Sequence, residues 1–490
     1  MNDATALARL GETTTLLHPE ELQLLRKLIA QFNSLQHRNR LRTLYLEGER
    51  SLRRAGQLGM ALPPQLGKLE TVLGWPAKAV EVLDNRLDLQ GFVTAGQAEV
   101  DDTVEQIARE NDLYNEARLA HTAAMTHGCA FITVFGGDEF VGEPEVVITT
   151  RSAEEATCLW SQRSRRVVAG MTINAGLDGI ESDQINLFMD DRVVSLWQEG
   201  RQLVVHRQPH DLGETPMVML PYRPRLKKRF GISRISRPLM NLTDSAVRTV
   251  IRMEGTAEFF SFPQRWATGV DQEDFDDTFK TYLNRILALG ADEDGNQPTL
   301  GTFAAASPQP HIDQLRAIAM MVSGETSIPP NYLGIIQDNP ASADAIKAAE
   351  ADLVKGAERA QATFDSPWCS TIRIAQKMRD GVADERLMHL QAKWRDASTP
   401  TKAADAQSVM TLVGAGVLPK QSEVTWELLG YDPVTISRLK AECARMEDTN
   451  RVVQLAGVSE IDPPGEQQPE EIEDAPESDD PLTSNATSVV

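Results

Sequence analysis

Apolar residues recur every three to four positions along most of this chain and gather into short β-prone runs in one part, so the change of rhythm outlines the architecture. Residues 18–31, HPEELQLLRKLIAQ, put Leu22, Leu25 and Ile29 on one face behind an acidic first turn and predict an N-terminal helix. The stretch AEVDDTVEQIARENDLYNEARLAHTAAMTHG keeps helical rhythm through Val104, Ile107, Leu113, Ala117 and Ala120 and is broken at Gly128. From Cys129 to Val205 the period changes. The runs AFITVF, EVVIT, RVVAGMTI, RVVSLW and QLVVH, separated by Gly, Asp, Asn or Glu, predict an antiparallel β region.

A long helix follows Pro238, with Leu239, Leu242, Ala246, Val250, Met253, Ala257 and Phe260 on one stripe, Ser236 available as its cap and Pro263 as its stop. At 1.5 Å per residue it makes a rod of roughly 35 Å. Residues 264–311 then read strand, helix, loop, strand (RWATGV, FDDTFKTYLNRILALG, DEDGNQ, PTLGTFAAA), and a shorter helix, Ile312 to Val322, returns. A small excursion is thus bracketed by two helices. Next comes a deliberate break, SIPPNYLGIIQDNPASADAI: Pro329 and Pro330 stop the incoming helix, while Asn339 or Ser342 can cap the outgoing one, with Asp344 in its first turn. That outgoing helix carries Ile346, Ala349, Leu353, Ala357, Ala360 and Phe364 on one face; residues 383–450 read as helical again, broken at GAGVLPK.

At 490 residues the chain exceeds what one core usually serves, so several domains or one elongated multi-part subunit are expected. No apolar run reaches the roughly 18 to 20 residues of a membrane span, and the N-terminus has no basic patch leading an apolar core, so a soluble protein working where it is made is expected. Cys129, Cys158, Cys369 and Cys443 are far apart and near no His at ligand spacing, which predicts reduced, mostly buried thiols. The net charge of −22 argues against binding nucleic acid by a basic wrap, though not against letting DNA slide past. Ten acidic residues and no basic one lie between Glu460 and Asp480, so about half of that charge is a tail too polar to fold alone.

One run opposes the charge trend. PYRPRLKKRFGISRISRPL holds Arg223, Arg225, Lys227, Lys228, Arg229, Arg234 and Arg237 with no acid, and reads as a solvated or subunit-contacting edge ahead of direct phosphate contact. The string FGGDEF, Phe135 to Phe140, spells the signature hairpin of diguanylate cyclases. Such a site needs a metal-binding upstream strand, and the upstream sequence here is helical, with Val134 where that family has Arg. Gly136, Gly137 and Asp138 instead suit a tight turn between two strands. His121 and His127, six apart, do not share a helical face and read as core or solvent residues. Phosphate-loop, zinc-protease and nucleophile-elbow motifs are missing, so no catalytic, cofactor or metal residues are assigned.

Over about residues 35–430, the order of parts resembles the portal proteins of tailed double-stranded DNA phages, of the siphovirus type infecting actinobacteria. The residues that carry the resemblance are Tyr45 and Gly48; Trp75, Val80, Asp84, Arg86, Leu87, Gly91 and Phe92; Asn111, Leu113, Gly128 and Phe131; the segment FGISRISRPLMNLTDSAVRTVIRMEGTAEFFSFPQRWATG; and SIPPNYLGIIQDNPASADAIKAAEADL. The resemblance implies an α+β portal fold, with N-terminal helices and a β-rich wing over 1–233, a first stem helix over 234–262, a small α/β clip over 263–311 and a second stem helix over 312–326. It further implies a tunnel loop over 327–342, a long wing helix over 343–382 and a helical crown over 383–454, with the acidic tail 455–490 outside the pattern. It implies no enzyme and no cofactor, but a ring of about twelve copies at one capsid vertex. Double-stranded DNA would pass through it, and its partners would be the terminase large subunit, the major capsid and scaffolding proteins and a head-tail adaptor. Assembly in the host cytoplasm and residence in the virion follow. Gln337, Asp338 and Asn339 are the candidate loop tip facing DNA. A minor head or adaptor component of the virion is the alternative, beside the cyclase.

Overall fold

The computed structural model describes residues 16–49, 71–94, 102–138, 140, 142–174, 184–199, 202–261, 265–268, 299–302, 307–335, 343–382, 384–398, 402–431 and 433–455. The chain divides into two compact units at Ser398/Thr399.

In the first unit, helices α1 (Pro19–Leu46), α2 (Trp75–Asp84), α3 (Asp102–Glu110) and α4 (Leu113–His127) precede and surround strands β1 (Leu89–Thr94) and β2 (Cys129–Gly136). Strands β3 (Val146–Ser152), β4 (Ala156–Ser161), β5 (Arg166–Asn174), β6 (Gln184–Phe188), β7 (Arg192–Glu199), β8 (Gln202–Pro209) and β9 (Met217–Pro221) follow. They form a three-stranded sheet in the order β3-β2-β9 and a five-stranded meander from β4 to β8, all antiparallel. The β region is therefore as its alternating runs predict. It also contains β4, β6 and β9, which those runs do not mark.

The meander is covered on both faces, and residue parity decides which. Ile185 and Leu187 of β6 and Val194 and Leu196 of β7 meet Leu25, Leu28 and Phe32 of α1. Phe188, Val193 and Val167 turn the other way, onto Phe131, Met217 and Met219 of the three-stranded sheet. A register shift between Leu159 and Trp160, where their β5 partners step from Ala169 to Val167, leaves Val168 unpaired. Such a bulge switches the face on which the flanking residues point, which is why Val167 and Ala169 pack into different cores.

Helix α7 (Ala343–Asp380) crosses the back of the three-stranded sheet. Its Leu353, Ala357, Ala360, Phe364, Trp368, Ile372 and Ala375 form a buried stripe against α2 to α4, β2 and β9. At the two earliest positions of the predicted face, Ile346 and Ala349, the residues are exposed instead. A strand β12 (Leu390–Trp394) pairs antiparallel with β1, after a 3-10 turn at Glu385–His389. This corrects the helical reading at the start of 383–450, since residues 384–398 belong to the first unit. Two other expectations change. The first helix runs on to Leu46 rather than ending near residue 31, and the second splits at Asp112, whose φ of +46° is left-handed.

Helices α5 (Arg237–Ser261) and α6 (Gln309–Thr326) pack together, and α6 is longer than the predicted Ile312–Val322. Strands β10 (Arg265–Thr268) and β11 (Thr299–Thr302) pair antiparallel between them in sequence; the helix predicted between those strands lies outside the described residues. The second unit contains α8 (Lys402–Gly414), α9 (Glu423–Leu428) and α10 (Pro433–Leu455), with the predicted break falling between α8 and α9.

Two buried polar features hold the first unit together. The Glu21 carboxylate, fully buried, accepts from Arg207 Nη2 at 2.8 Å, Arg192 Nε at 3.1 Å and the His18 amide at 2.9 Å, tying α1 to β7 and β8. Burial pushes its pKa up, but the Arg207 hydrogen bond and the other donors outweigh it and hold the group at about 2. His121 stacks on Phe364 at 4.8 Å and its Nε2 accepts from Trp368 Nε1 at 3.0 Å. Burial lowers its pKa to about 3, and burial followed by the Arg42 charge lowers that of His127 to about 4. Both histidines are core residues, one of the two readings the sequence allows.

Below pH 6.5 the unfolded chain takes up protons at these two histidines while the folded chain does not. Their contribution is complete above that value and falls as the pH drops toward 4. Urea unfolding is expected to show about 1 kcal/mol lost per histidine at pH 5.5, with an unchanged slope. In His121→Gln, which keeps an acceptor for Trp368, that part of the pH dependence should flatten. The Glu21 contribution is lost only in a separate window, between pH 4.5 and about 2.

Candidate functional site: the root of the helical pair

Side-chain contacts between helices α5 and α6 fix the pair near both ends. Ser236 Oγ donates to Glu325 Oε1 at 2.8 Å near the start of α5, and Thr256 Oγ1 lies 3.4 Å from His311 Nε2 toward its other end. Ser236 also caps α5 as its sequence predicts, accepting from the Leu239 amide at 3.2 Å. Below the pair, Leu239 of α5, Val322 of α6, Ile328 and Ala79 of α2 form a separate small core flanked by Trp75, Leu242, Tyr332 and Leu333.

Arg234 organises this root. Its guanidinium donates to the Thr326 carbonyl at 3.0 Å, to the Ala79 carbonyl and, more loosely, to Tyr222 Oη at 3.4 Å. Its backbone amide donates to Met125 O at 2.7 Å. A cation on the last-turn carbonyl of α6 satisfies an acceptor that no intrahelical donor reaches, and the second bond, to Ala79 within α2, holds that helix against it. The acid-free basic run therefore splits by role. Arg234 is a structural tie, whereas Arg223, Arg225, Lys227, Lys228 and Arg229 stay exposed. The turn into α5 passes Gly231, with φ of +71°, where a Cβ would overlap the carbonyl oxygens of Gly128 and Tyr222.

The break after α6 begins as predicted. Ser327 is left-handed at φ +57°, Ser323 Oγ donates to Ile328 O at 2.6 Å, and Pro330–Leu333 makes one 3-10 turn. Tyr332 Oη then donates to Glu350 Oε1 at 2.5 Å, and Glu350 Oε2 pairs with Arg86 Nη2 at 3.0 Å. Arg86 also donates to Ala397 O at 2.7 Å, and its own carbonyl accepts from Gln361 at 3.1 Å. The chain thus leaves the root at Tyr332 and is bound back to the same point at Glu350. Burial, then the Glu350 hydrogen bond and charge, push the Tyr332 phenol up, so it stays a donor. The proposed tip residues Gln337, Asp338 and Asn339 lie outside the described residues. Sequence reasoning missed the clamp that holds this segment: Arg86 and Glu350 are 264 positions apart, and only the acid inside an Ala-rich helix hinted at a partner.

The FGGDEF segment is a longer connection than the expected tight turn, because β3 starts only at Val146. Gly137 is needed there on steric grounds, since a Cβ would overlap Pro144 O, and its amide donates to Glu145 O at 2.9 Å. The hairpin explains its own glycine without a nucleotide. Among the described residues no group of three or more His, Cys, Asp or Glu is placed to hold a metal ion. The described cysteines are free thiols, with Cys129 and Cys158 buried.

The site is thus a rooted helical pair followed by a segment clamped through Tyr332, Glu350 and Arg86. Residues 67–441 match the family described as phage portal protein, SPP1 Gp6-like, and the chain belongs to that family. The portal protein of Mycobacterium phage D29 is 32% identical over 412 residues, covering 81% of this chain and 83% of the relative. The portal protein of Mycobacterium phage L5 is 33% identical over 398 residues, with 77% and 80% covered. Chains from the neck of the empty GTA particle (C6 symmetry) and of the native GTA particle (C12 symmetry) are 12% identical. They cover 74% and 73% of this chain and 91% and 90% of their own, at TM-scores of 0.43 and 0.42. The family membership decides for a portal protein over an adaptor, and nothing in the comparisons supports the cyclase.

Removing one partner of a buried ion pair leaves the other charge uncompensated. Arg86→Leu is expected to cost about 3 kcal/mol in denaturant unfolding, whereas Tyr332→Phe, which removes one hydrogen bond, should cost about 1 kcal/mol.

Proposed function

We propose that this portal protein closes into a ring of about twelve copies at one capsid vertex, through which double-stranded DNA is packaged and ejected. The observation that carries this reading is the clamp at the root of α5 and α6, in a chain of the portal family. It returns the chain to one rigid point on either side of the segment 336–342, which is what a loop touching moving DNA requires. In this reading α5 and α6 are the stem, residues 263–311 with the β10/β11 ribbon are the clip, 327–342 is the tunnel loop and the second unit belongs to the crown.

The action is mechanical and electrostatic. Each phosphate held by a cation would slow translocation, so a wall dominated by acidic and neutral groups lets the duplex slide. A chain with a net charge of −22 supplies such a wall readily. Gln337, Asp338 and Asn339 are polar enough to meet DNA through water without trapping it. The clip is the docking surface for the terminase large subunit and then for the head-tail adaptor, while the wing meets the major capsid and scaffolding proteins during assembly in the host cytoplasm. No catalysis and no cofactor enter this account.

Electron microscopy and native mass spectrometry of the full chain are expected to show closed rings with a central channel; a purely monomeric protein, even when co-expressed with its capsid protein, would sink the reading. Asp338→Lys is expected to lower packaged DNA per particle severalfold while ring yield stays normal. Unchanged packaging and retention would remove the tip assignment alone.

A further inference from the structure

The hairpin between β2 and β3 carries an unusual tip for a soluble surface. Phe140 is 102% exposed there, and the described acids around it, Asp138, Glu143 and Glu145, are exposed as well. Hydrogen bonds brace the described residues of the tip: the Asp138 amide donates to Glu143 Oε2 at 3.0 Å, the Phe140 amide to Asp138 Oδ1 at 2.9 Å, and the Gly137 amide to Glu145 O at 2.9 Å. Single exposed apolar residues are common on surfaces, but an aromatic ring on a braced acidic loop is preorganised for an apolar, basic receptor. Arg379, the cation that faces Glu145, is already bound to Asp380 at 2.7 Å and 3.0 Å.

Such a receptor exists on the same unit. Trp160, Gln162, Arg165 and Arg229 line a cleft of about 320 Å³, between the β4/β5 turn and the loop after β9. Both flanking loops are cationic, the first through Arg163, Arg165 and Arg166, the second through the exposed run from Arg223 to Arg229. Among the described residues, the one ion pair these cations make is Arg166 with Glu214, at 3.9 Å. A half-buried indole with two guanidinium groups offers one wall for stacking an aromatic ring and donors for the carboxylates beside it.

Tip and cleft lie at opposite ends of β2. The tip follows Gly136, which pairs with Val146; the basic loop follows Pro221, which pairs with Cys129 at the other end. The seven steps of about 3.3 Å from Cys129 to Gly136 separate the two ends by roughly 23 Å, so a subunit cannot fill its own cleft. Complementary surfaces at opposite ends of one body make a head-to-tail contact, and head-to-tail contacts that close generate rings.

We propose that the Phe140 hairpin of one copy docks in the Trp160–Arg165–Arg229 cleft of the next copy, with Phe140 against the indole and Asp138 and Glu143 facing the arginines. This rests on the ring reading above, whose own test is the presence of rings. The contact sets the order and direction of neighbours, and gives the GGDEF string a use that involves no nucleotide.

The full chain carrying p-benzoylphenylalanine in place of Phe140, mixed as isotopically light and heavy copies before assembly, tests it. After irradiation, light-to-heavy adducts on Trp160, Gln162, Arg165 or Arg229 are expected. Rings whose adducts fall elsewhere, or only within one copy, overturn the contact while leaving the ring reading intact; no rings at all overturns both. Arg165→Glu with Arg229→Glu is expected to reduce ring yield at least tenfold, and adding Asp138→Arg with Glu143→Arg to restore part of it. Should the cleft variant form rings normally, cross-link unchanged and instead package or retain less DNA, the cleft is a nucleic-acid surface and the proposal fails.

Discussion

The last carbonyls of an α-helix have no donor within the helix, and burying them unpaired is costly. At the end of α6 the Thr326 carbonyl is met by Arg234, which also reaches Ala79 in α2 and, through its own amide, the end of α4. Arg234 therefore ties three helices to one point, α6 and α2 through its guanidinium and α4 through its amide. The direction in which α5 and α6 leave the body depends on that junction, as does the position of the segment that follows. A lysine at this place would supply charge without the fork that spans two carbonyls.

The same logic recurs wherever a polar group is buried. Glu21 is surrounded by donors and stays ionised, while burial holds His121 and, with the Arg42 charge, His127 neutral even though His127 Nε2 lies 3.6 Å from the Glu154 carboxylate. Burial pushes the Cys129 and Cys369 thiols up to about 12, leaving them inert. These groups hold elements together. Exposed cations gather on two neighbouring loops of the first unit, and along the sequence acids are concentrated between Glu460 and Asp480. The proposed ring, which binds copies of itself and lets DNA pass, would be served by local complementarity within an acidic whole.

Much of the fold was legible because its signals are local. Helix periodicity marked α4, α5 and the buried stripe of α7 from Leu353 to Phe364; Ser236, Pro329 and Pro330 marked ends. The failures have physical causes. Helix α1 continues past residue 31 because Phe32, Asn39 and Tyr45 find partners far away, Asn39 on the Ala153 carbonyl and Tyr45 on Asp244. The α3/α4 kink depends on Asp112 adopting a left-handed conformation that Asp tolerates without advertising it. Strand β12, five residues long, has no recognisable strand pattern until β1 is set beside it. Of the site, the break after α6 was visible, but the Arg86–Glu350–Tyr332 clamp was not.

The sequence by itself determined the alternation of helical and extended segments, the bracketing of a small excursion by two helices, the acidic tail and, through spaced Gly, Pro, Ser and apolar residues, the family. Those are properties of neighbours within a few turns. Tertiary structure alone decided which acceptors Arg234 reaches, across 92 and 155 positions, and that Glu350 closes on Arg86 across 264. It also decided that the hairpin tip and the basic cleft stand at opposite ends of one strand. A side chain's type limits what it can bind, but only the folded chain brings distant groups to hydrogen-bonding distance.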